Sequence, residues 1–300
     1  MRQNHQNISQ HQPVLVQEVL HCLQPQAGES YLDLTAGYGG HADHVLEATK
    51  APRAATLVDR DAAAIEVLES RFKRARIIHQ DFLAACRMLA DERQRFDMIL
   101  ADLGVSSPHL DNSSRGFAIS PSGPLDMRMD QTQANSADQL VNQASTEELA
   151  GLIKAYGEDP KARSIATQIV HNRPITDTGQ LAAIVARAYG PWAKRSRIHP
   201  ATRTFQALRI AVNDELAQLE HSLPLMEQLL APGGRLAIIS FHSLEDRIVK
   251  QYFADNAGDR YDAELRLLSK KPLTASHNEI VINPRARSAK LRAARKIKQK

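Results

Sequence analysis

Short apolar runs alternate with amphipathic stretches from residue 30 onward, and this alternation constrains the fold more than any other feature of the chain. The apolar runs occupy 31–34, 55–58, 76–78 and 98–101. Between the second and third runs, Ile65, Leu68 and Phe72 recur at the spacing of one helical face. Strands that alternate with helices in this way form a parallel sheet covered on both faces. The sequence therefore predicts an α/β fold.

A late strand and a long strand-free segment extend this prediction. The turn Pro232-Gly233-Gly234 introduces an apolar run at 235–240, which is typical of a further strand of the same sheet. Residues 136–217 show helical patterns punctuated by Gly and Pro, without strand signals. We therefore predict a discontinuous α/β domain with an all-helical domain inserted into it. The predicted domains are 1–130 with 211–300, and 131–210.

Composition excludes several classes of protein. With 300 residues and 43% hydrophobic content, the chain can bury a sizeable core. No run approaches the roughly 18 apolar residues of a membrane span, and the first residues lack the apolar segment of a signal peptide. Cys22 and Cys86 have no neighbours at metal-binding spacing, so we expect neither a disulfide framework nor a metal site. These features predict a cytoplasmic protein without a membrane partner.

Basic charge is concentrated in two segments. Eight Lys or Arg and no acid occur in 285–300, so the rest of the chain is slightly acidic although the net charge is +4. Six more basic residues and no acid lie between Asp177 and Asp214. Such segments bind a polyanion or form a solvated tail and a solvated helix face. For the tail we predict contacts with RNA phosphates and little contribution to folding, because it contains few large apolar residues. The alternative is that residues 283–292 pack on the domain as an ordered arm.

A glycine-rich turn follows the first strand. Asp33 ends the strand, and the chain continues through Gly37, Gly39 and Gly40 to His41 before a helical pattern. Glycines at such a turn let the main chain pass close to a ligand, because a Cβ there would clash and because Gly tolerates the dihedral angles required. The turn therefore predicts a cofactor site.

Acidic residues after the next strands narrow the choice of cofactor. Asp59 lies 20 residues after Gly39, where a carboxylate can accept hydrogen bonds from a ribose, and Asp81 and Phe82 follow the third strand beside the expected adenine. A nicotinamide-dependent oxidoreductase, the alternative, requires a third glycine where this chain has Ala42. S-adenosylmethionine carries no phosphate and needs an acid near the loop, which Asp33 supplies. We therefore predict S-adenosylmethionine.

Asp102 follows the fourth strand and is the candidate catalytic residue. Ligands of open parallel sheets bind beyond the carboxyl ends of the strands, where cofactor and substrate should meet. Methyl transfer to an exocyclic amine needs the nitrogen held in line and an acceptor that draws on its N–H. Asp102 suits that role by type and position. A cap on the following turn or a cofactor contact is an equally good interpretation.

Several long strings occur in the order found in one family, and the chain resembles the bacterial 16S rRNA cytosine-N4 methyltransferases (RsmH or MraW). The strings are HQPVL (11–15), GGH (39–41), DLGVSS (102–107), GPLDMRMD (123–130), RTFQALRI (203–210), SFHSLEDR (240–247) and NPRARSAKLR (283–292). The resemblance implies N4-methylation of a cytosine in the decoding region. It implies a class I methyltransferase fold with an inserted helical domain, and 16S rRNA or the small ribosomal subunit as partner.

Carried over residue by residue, the resemblance also assigns a cofactor site. The implied contacts are Gly39, Gly40, His41, Asp59, Phe82 and Asp102. His109 stands where the family usually has Gln, and we include it among the expected contacts. Leu34 and Ala36 stand where the family usually has Gly and an aromatic residue. A ribosome-associated binding protein without activity is a further alternative, but the complete Asp102 string argues against it.

Other strings have two interpretations each. His242, Glu245 or Asp246 could face the substrate, while a helix cap by Ser243 with Asp246 is equally good. The string at 125–130 could form a lid or a hinge into the inserted domain. Trp192 and Phe205, which lie among Lys194, Arg195, Arg197 and Arg203, could stack on bases or belong to a core. The sequence sets no oligomeric state and leaves a homodimer open.

Overall fold

A computed structural model describes residues 13–191, 199–258 and 263–297. The chain divides into two compact units: a sheet unit, residues 1–104 with 217–300, and a helical unit, residues 105–216. The boundary at 104 precedes the sequence-based boundary at 130. The reason is packing, because Phe117, Leu125 and Met127 belong to the hydrophobic core of the helical unit.

The sheet unit contains one mixed sheet of eight strands. In chain order, these are β1 (Tyr31–Asp33), β2 (Ala55–Asp59), β3 (Arg76–His79), β4 (Phe96–Asp102), β5 (Leu230–Ser240), β6 (Leu265–Leu267), β7 (Leu273–Thr274) and β8 (Lys290–Lys296). Their spatial order is β3-β2-β1-β4-β5-β8-β6, with β7 also paired to β8. The first five strands in this spatial order, β3, β2, β1, β4 and β5, are parallel to one another. β8 runs antiparallel to β5, β6 and β7.

Helices cover both faces of this sheet, as the alternation in the sequence predicts. The helices of the sheet unit are α1 (Val16–Leu23), α2 (Gly40–Thr49), α3 (Ala62–Arg71), α4 (Phe82–Asp91), α11 (Glu215–Leu229, from residue 217), α12 (Ser243–Asn256) and α13 (His277–Ile282). Successive strand residues point to opposite faces. Ile99 of β4 therefore joins a core with α4, α11 and α12, while Met98 and Leu100 join the core with α1, α2 and α3.

The strand after the Pro-Gly-Gly turn is longer than the sequence predicts. β5 begins at Leu230 instead of residue 235, because the turn is a bulge inside the strand. Its pairing with β4 shifts register between Phe96, opposite Leu230, and Met98, opposite Arg235. Gly233 adopts a φ of +78°, which a residue with a side chain rarely tolerates.

The basic C-terminal segment is part of the sheet, so the prediction of a tail that contributes little to folding is wrong. β8 lies between β5 and β6, with Ile238 opposite Arg292. Leu291 and Ala294 are fully buried. Small apolar residues fill the positions between the Lys and Arg side chains: Ala293 joins Leu291 in the core on one face of the sheet, and Ala294 joins the core on the other face. Residues 298–300 lie outside the described part of the chain.

The helical unit has its own hydrophobic core. Its helices are α5 (Ser107–Asp111), α6 (Ala137–Gln143), α7 (Thr146–Gly157), α8 (Ala162–His171), α9 (Thr178–Tyr189) and α10 (Thr202–Asn213). The buried Asn213 side chain accepts a hydrogen bond from Met129 N and donates one to Met127 O. This pins the segment at 125–130 to α10. Within the described parts of the chain, no helix is long and apolar enough to cross a lipid bilayer.

Candidate functional site

Three neighbouring parallel strands of the sheet unit each end in an aspartate. Asp33 ends β1, Asp59 ends β2 and Asp102 ends β4. Because β1 lies between β2 and β4, the three residues share the carboxyl edge of the sheet. Open parallel sheets bind their ligands at this edge. The sheet therefore brings together three of the acids that the sequence singles out.

The glycine turn crosses from β1 toward β2. Ala36 N donates to Val58 O at 2.9 Å, and Gly37 N donates to Asp59 Oδ2 at 2.7 Å. Asp59 Oδ1 accepts a hydrogen bond from Asp61 N at 2.8 Å. Carboxylate oxygens accept more than one hydrogen bond each, so these bonds are compatible with a further role toward a ribose. Asp59 thus fixes the turn whether or not it also binds a ligand.

The glycines of the turn are required for different reasons. Gly37 and Gly39 have φ values of +53° and +85°. A Cβ on Gly39 would collide with the ring of Phe72, and one on Gly40 would approach Pro13 Cβ to 3.2 Å. A Cβ on Gly37 would approach no atom closer than Thr35 O at 4.0 Å. Internal packing therefore requires Gly39, whereas only Gly37 has open space in its Cβ direction for a ligand.

Asp33 is a buried acceptor with internal partners. Only 1% of the residue is exposed. Its Oδ2 accepts from the Tyr31 hydroxyl at 2.8 Å and its Oδ1 from Thr35 N at 3.2 Å. Burial raises the pKa of this carboxyl to about 6, against the opposing attraction of His41. The carboxylate therefore supports the turn from the protein interior.

His41 and Asp102 form the polar pair of the site. His41 Nε2 lies 3.5 Å from Asp102 Oδ2, and the two side chains are 7% and 21% exposed. Buried His41 Nε2 and Asp102 Oδ1 both lack a hydrogen-bond partner among the described residues. Buried polar atoms without partners are rare in native proteins and need an explanation such as a ligand. These two atoms mark the place where a ligand would bind.

Asp81 and Phe82 lie at the start of α4. Asp81 Oδ1 accepts a hydrogen bond from Ala84 N at 2.8 Å, so this aspartate caps the helix. Phe82 is half-buried and packs against the core under that face of the sheet. Since α4 follows β3, which neighbours β2, both residues lie on the β2 side of the site.

His109 belongs to the helical unit. Its Nδ1 lies 3.1 Å from Ser106 Oγ, and its ring stacks on Phe117 with centroids 5.2 Å apart and planes at 27°. The residue is 5% exposed. These contacts give His109 a packing role inside the helical unit, and its role toward a cofactor stays a prediction.

The string at 240–247 forms a helix cap that is displaced by one residue from the predicted one. His242 caps α12, and Glu245 Oε2 accepts from the N–H groups of Phe241 and His242. Asp246 is not the cap acid, because it pairs with Lys290 and Arg292 of β8 at 3.1 and 2.7 Å. Burial raises the pKa of Asp246, but the hydrogen bonds from those two cations outweigh it and lower the pKa overall.

Most of the described basic residues between Asp177 and Asp214 bind acceptor atoms of the protein itself. Arg209 forms a two-pronged ion pair with Glu215, and Arg187 donates to Asn172 Oδ1. Phe205 is 6% exposed in the core of the helical unit, so its stacking on bases is excluded in this structure. The remaining residues predicted for this surface, Trp192, Lys194, Arg195 and Arg197, lie outside the described residues.

Sequence reasoning missed Thr35. Its Oγ1 accepts a hydrogen bond from Asp102 N at 2.6 Å, and thereby joins the glycine turn to the end of β4. A threonine in a turn has no pattern that distinguishes it from other polar residues. The one signal in the sequence is that Thr35 lies two residues after Asp33, the last residue of β1.

Fold and site together define the class of protein. A sheet ordered β3-β2-β1-β4-β5-β8-β6, with β8 reversed, a glycine turn after β1 and acids at the ends of β1, β2 and β4, is the arrangement of class I methyltransferases. The chain matches the MraW methylase family over residues 8–297 and belongs to that family. The resemblance stated from the sequence is therefore confirmed, and the nicotinamide-dependent alternative is excluded.

Curated relatives match nearly end to end. A ribosomal RNA small subunit methyltransferase H of Cyanothece sp. is 48% identical, covering 96% of this chain and 95% of that protein. The protein of the same name from Syntrophotalea carbinolica is 46% identical, covering 97% and 99%. That from Halothermothrix orenii is 42% identical, covering 96% and 99%.

Proposed function

We propose that this protein transfers a methyl group from S-adenosylmethionine to the exocyclic N4 amine of a cytosine in the decoding region of 16S rRNA. The observation that carries the proposal is the family match over residues 8–297. Relatives named as ribosomal RNA small subunit methyltransferases support the RNA substrate. We place the reaction in the cytoplasm, on 16S rRNA or the small ribosomal subunit, and leave a homodimer open.

The carboxyl edge of the sheet fits the proposed cofactor. Asp33 and Asp102 put two acids near His41, which suits a positively charged sulfonium ligand. The partnerless atoms of His41 and Asp102 and the open space at Gly37 offer contacts for it. The residues that we propose to hold the cofactor are Asp33, Gly37, Gly39, Gly40, His41, Asp59, Asp81, Phe82, Asp102 and His109. Of these, Asp33 and Gly39 are buried, and we propose that they shape the turn that holds the cofactor.

Asp102 is the residue proposed to act on the amine. The cofactor supplies, when bound, a methyl group made electrophilic by the neighbouring sulfonium. The lone pair of an exocyclic amine is delocalised into the pyrimidine ring, so the amine is a weak nucleophile. A hydrogen bond from N4–H to the Asp102 carboxylate keeps the amine oriented and reduces that delocalisation. After transfer, the carboxylate accepts the proton that N4 loses.

The inserted domain, which the sequence predicts at 131–210, is proposed to recognise the RNA. Arg203 is an exposed arginine of α10 whose Nη1 donates to the main-chain oxygen of Glu158, and no carboxylate among the described residues pairs with its guanidinium. An unneutralised guanidinium at the surface suits contact with phosphates. Among the described basic residues between Asp177 and Asp214, Arg203 is therefore the candidate for a phosphate contact, because the side chains of Arg187 and Arg209 bind protein side chains.

Nucleoside analysis tests the function directly. Small-subunit rRNA is prepared from cells with and without the gene for this protein, digested to nucleosides and compared by mass spectrometry. We expect N4-methylated cytidine to disappear without the protein, and to return when purified protein and S-adenosylmethionine are added to subunits from the deficient cells. An unchanged nucleoside profile, with no methyl transfer in vitro, would refute the function.

A further inference from the structure

The main chains of β1 and β4 separate at the site, and Thr35 lies at the point of separation. Up to that point the parallel pairing is regular, with Met98 N donating to Ser30 O at 3.1 Å and Leu34 N donating to Leu100 O at 2.9 Å. Continuation of this pattern would send Asp102 N to Leu34 O. Asp102 N donates instead to the side-chain oxygen of Thr35 at 2.6 Å.

The exchange of acceptor follows from the direction of the glycine turn. Immediately after Thr35, the chain turns toward β2, where Ala36 N donates to Val58 O at 2.9 Å. A turn in that direction takes the chain away from β4 and ends the main-chain pairing of β1 with β4. Without the threonine oxygen, the half-buried N–H of Asp102 would lose its acceptor, which is unfavourable.

Thr35 is itself fixed from the protein interior. Its N–H donates to Asp33 Oδ1 at 3.2 Å, and Asp33 Oδ2 accepts from the Tyr31 hydroxyl at 2.8 Å. Asp33 and Tyr31 are both buried. A continuous series of hydrogen bonds therefore connects the sheet interior through Thr35 to the main chain of Asp102.

We propose that Thr35 is a positioning residue for methyl transfer. Its hydroxyl holds the main chain at the end of β4, and so sets the place of the Asp102 carboxylate, whose Oδ1 has no hydrogen-bond partner among the described residues. The role rests on the proposed function, because it is needed only if Asp102 acts on the amine. A displacement of a reacting group by about 1 Å can slow a reaction roughly 100-fold, so a single hydrogen bond here is sufficient to matter.

The test compares five variants of the full-length protein. Thr35→Val removes the acceptor and keeps the shape, while Thr35→Ser keeps the acceptor. Thr56→Val makes the same change at a buried threonine of β2, away from the end of that strand, and is the matched control. The fourth variant is Asp102→Asn, and the fifth combines it with Thr35→Val. Methyl transfer in a single turnover to subunits that lack the modification, S-adenosylmethionine affinity and thermal melting are measured for each.

We expect Thr35→Val to slow methyl transfer by roughly 10- to 100-fold, with cofactor affinity close to that of Thr56→Val and a melting temperature only modestly lower, because one half-buried N–H loses its acceptor. Thr35→Ser should restore the rate. The double variant should be no slower than Asp102→Asn alone, because both changes act through one carboxylate.

Three results would overturn the proposal: a wild-type rate in Thr35→Val, an equal loss in Thr35→Ser, or rate losses that multiply in the double variant. Failure of the proposed function is distinguishable from these, since the wild-type protein would then methylate no subunit and both proposals would fall. Failure of the positioning role alone would leave wild-type methylation intact.

Discussion

Arg292 Nε on β8 donates a 2.7 Å hydrogen bond to Asp246 Oδ1 on α12. Lys290 Nζ donates to the other oxygen of the same carboxylate at 3.1 Å. The buried Lys296 amino group donates to Glu227 O at 2.8 Å. Arg295 Nε also donates to Gly233 O at 3.1 Å, so at least four of the six described basic residues after Pro284 are bound to protein acceptors in the sheet unit. Their charge serves first to hold the last strand in place.

Truncation after Pro284 should prevent folding of the sheet unit. The shortened chain lacks β8, the strand between β5 and β6, and with it the buried Leu291 and Ala294. We expect the truncated protein to show no cooperative melt, and to bind no cofactor. Circular dichroism during heating measures this, and a melt like that of the intact chain would contradict the placement of β8.

A point substitution gives the same test in a milder form. Leu291→Ala removes a fully buried side chain and should lower the free energy of unfolding by about 2–5 kcal/mol. Val281→Ala on α13, where the side chain is 67% exposed, is the control and should change it by less than about 0.5 kcal/mol. Equal effects of the two substitutions in denaturant titrations would argue against a buried β8.

The parallel part of the fold could be predicted from the sequence, and β8 could not. Strands β1 to β4 are apolar runs beside helices with one apolar face, so periodicity reveals them. The segment KLRAARK has the charge of a solvated tail. Its burial depends on Asp246, which lies 44 residues before Lys290, and on small residues that pack into the cores on the two faces of the sheet. No local pattern encodes such a distant partner.

The candidate site divides in the same way. Asp33, Asp59 and Asp102 can be identified from the sequence because each lies at the end of a strand-like apolar run, and the ends of parallel strands meet at one edge. The interior role of Asp33 and the contact of Thr35 with Asp102 N depend on side-chain directions that follow from packing. Sequence therefore locates the edge of the sheet, and the structure assigns the separate tasks of its residues.

Asp59→Ala should sharply weaken binding of S-adenosylmethionine. Each ribose hydroxyl left without an acceptor costs about 1–3 kcal/mol. The substitution also removes the acceptor of Gly37 N, so the turn should loosen. Calorimetry with purified protein measures the affinity, and Glu66→Ala on the exposed face of α3 is the control. Unchanged affinity in Asp59→Ala would move the ribose acceptor to another residue.

Asp102→Asn should reduce the rate of methyl transfer more than it reduces cofactor affinity. Asn keeps the shape but cannot take a proton from the amine, and general-base catalysis contributes roughly 100-fold or more. The measurement is the single-turnover rate at saturating cofactor, alongside the dissociation constant of the cofactor. Asp91→Asn at the exposed end of α4 controls for loss of charge. A collapse of binding with an unaltered rate would make Asp102 a binding residue only.

Asp33 should make the ligand-free protein less stable as pH rises. The pKa of its carboxyl is about 6 in the folded protein, because of burial, and about 3.9 in an unfolded chain. Between these values the folded state binds more protons than the unfolded state, so the free energy of unfolding falls with rising pH. Full stabilisation is present below about pH 4, and about 3 kcal/mol is lost by about pH 7.

Denaturant titrations of wild type and Asp33→Asn, from well below pH 4 to about pH 7, test the sign. The wild type should lose stability relative to Asp33→Asn as pH rises from about 4 to about 7, because Asn cannot ionise. Asp246→Asn is the matched comparison. Lys290 and Arg292 lower the pKa of Asp246, so its stabilisation is present above about pH 4 and is lost as pH falls below that value. The two aspartates should therefore give pH dependences of opposite sign, and a parallel dependence for both variants would show that burial does not raise the pKa of Asp33.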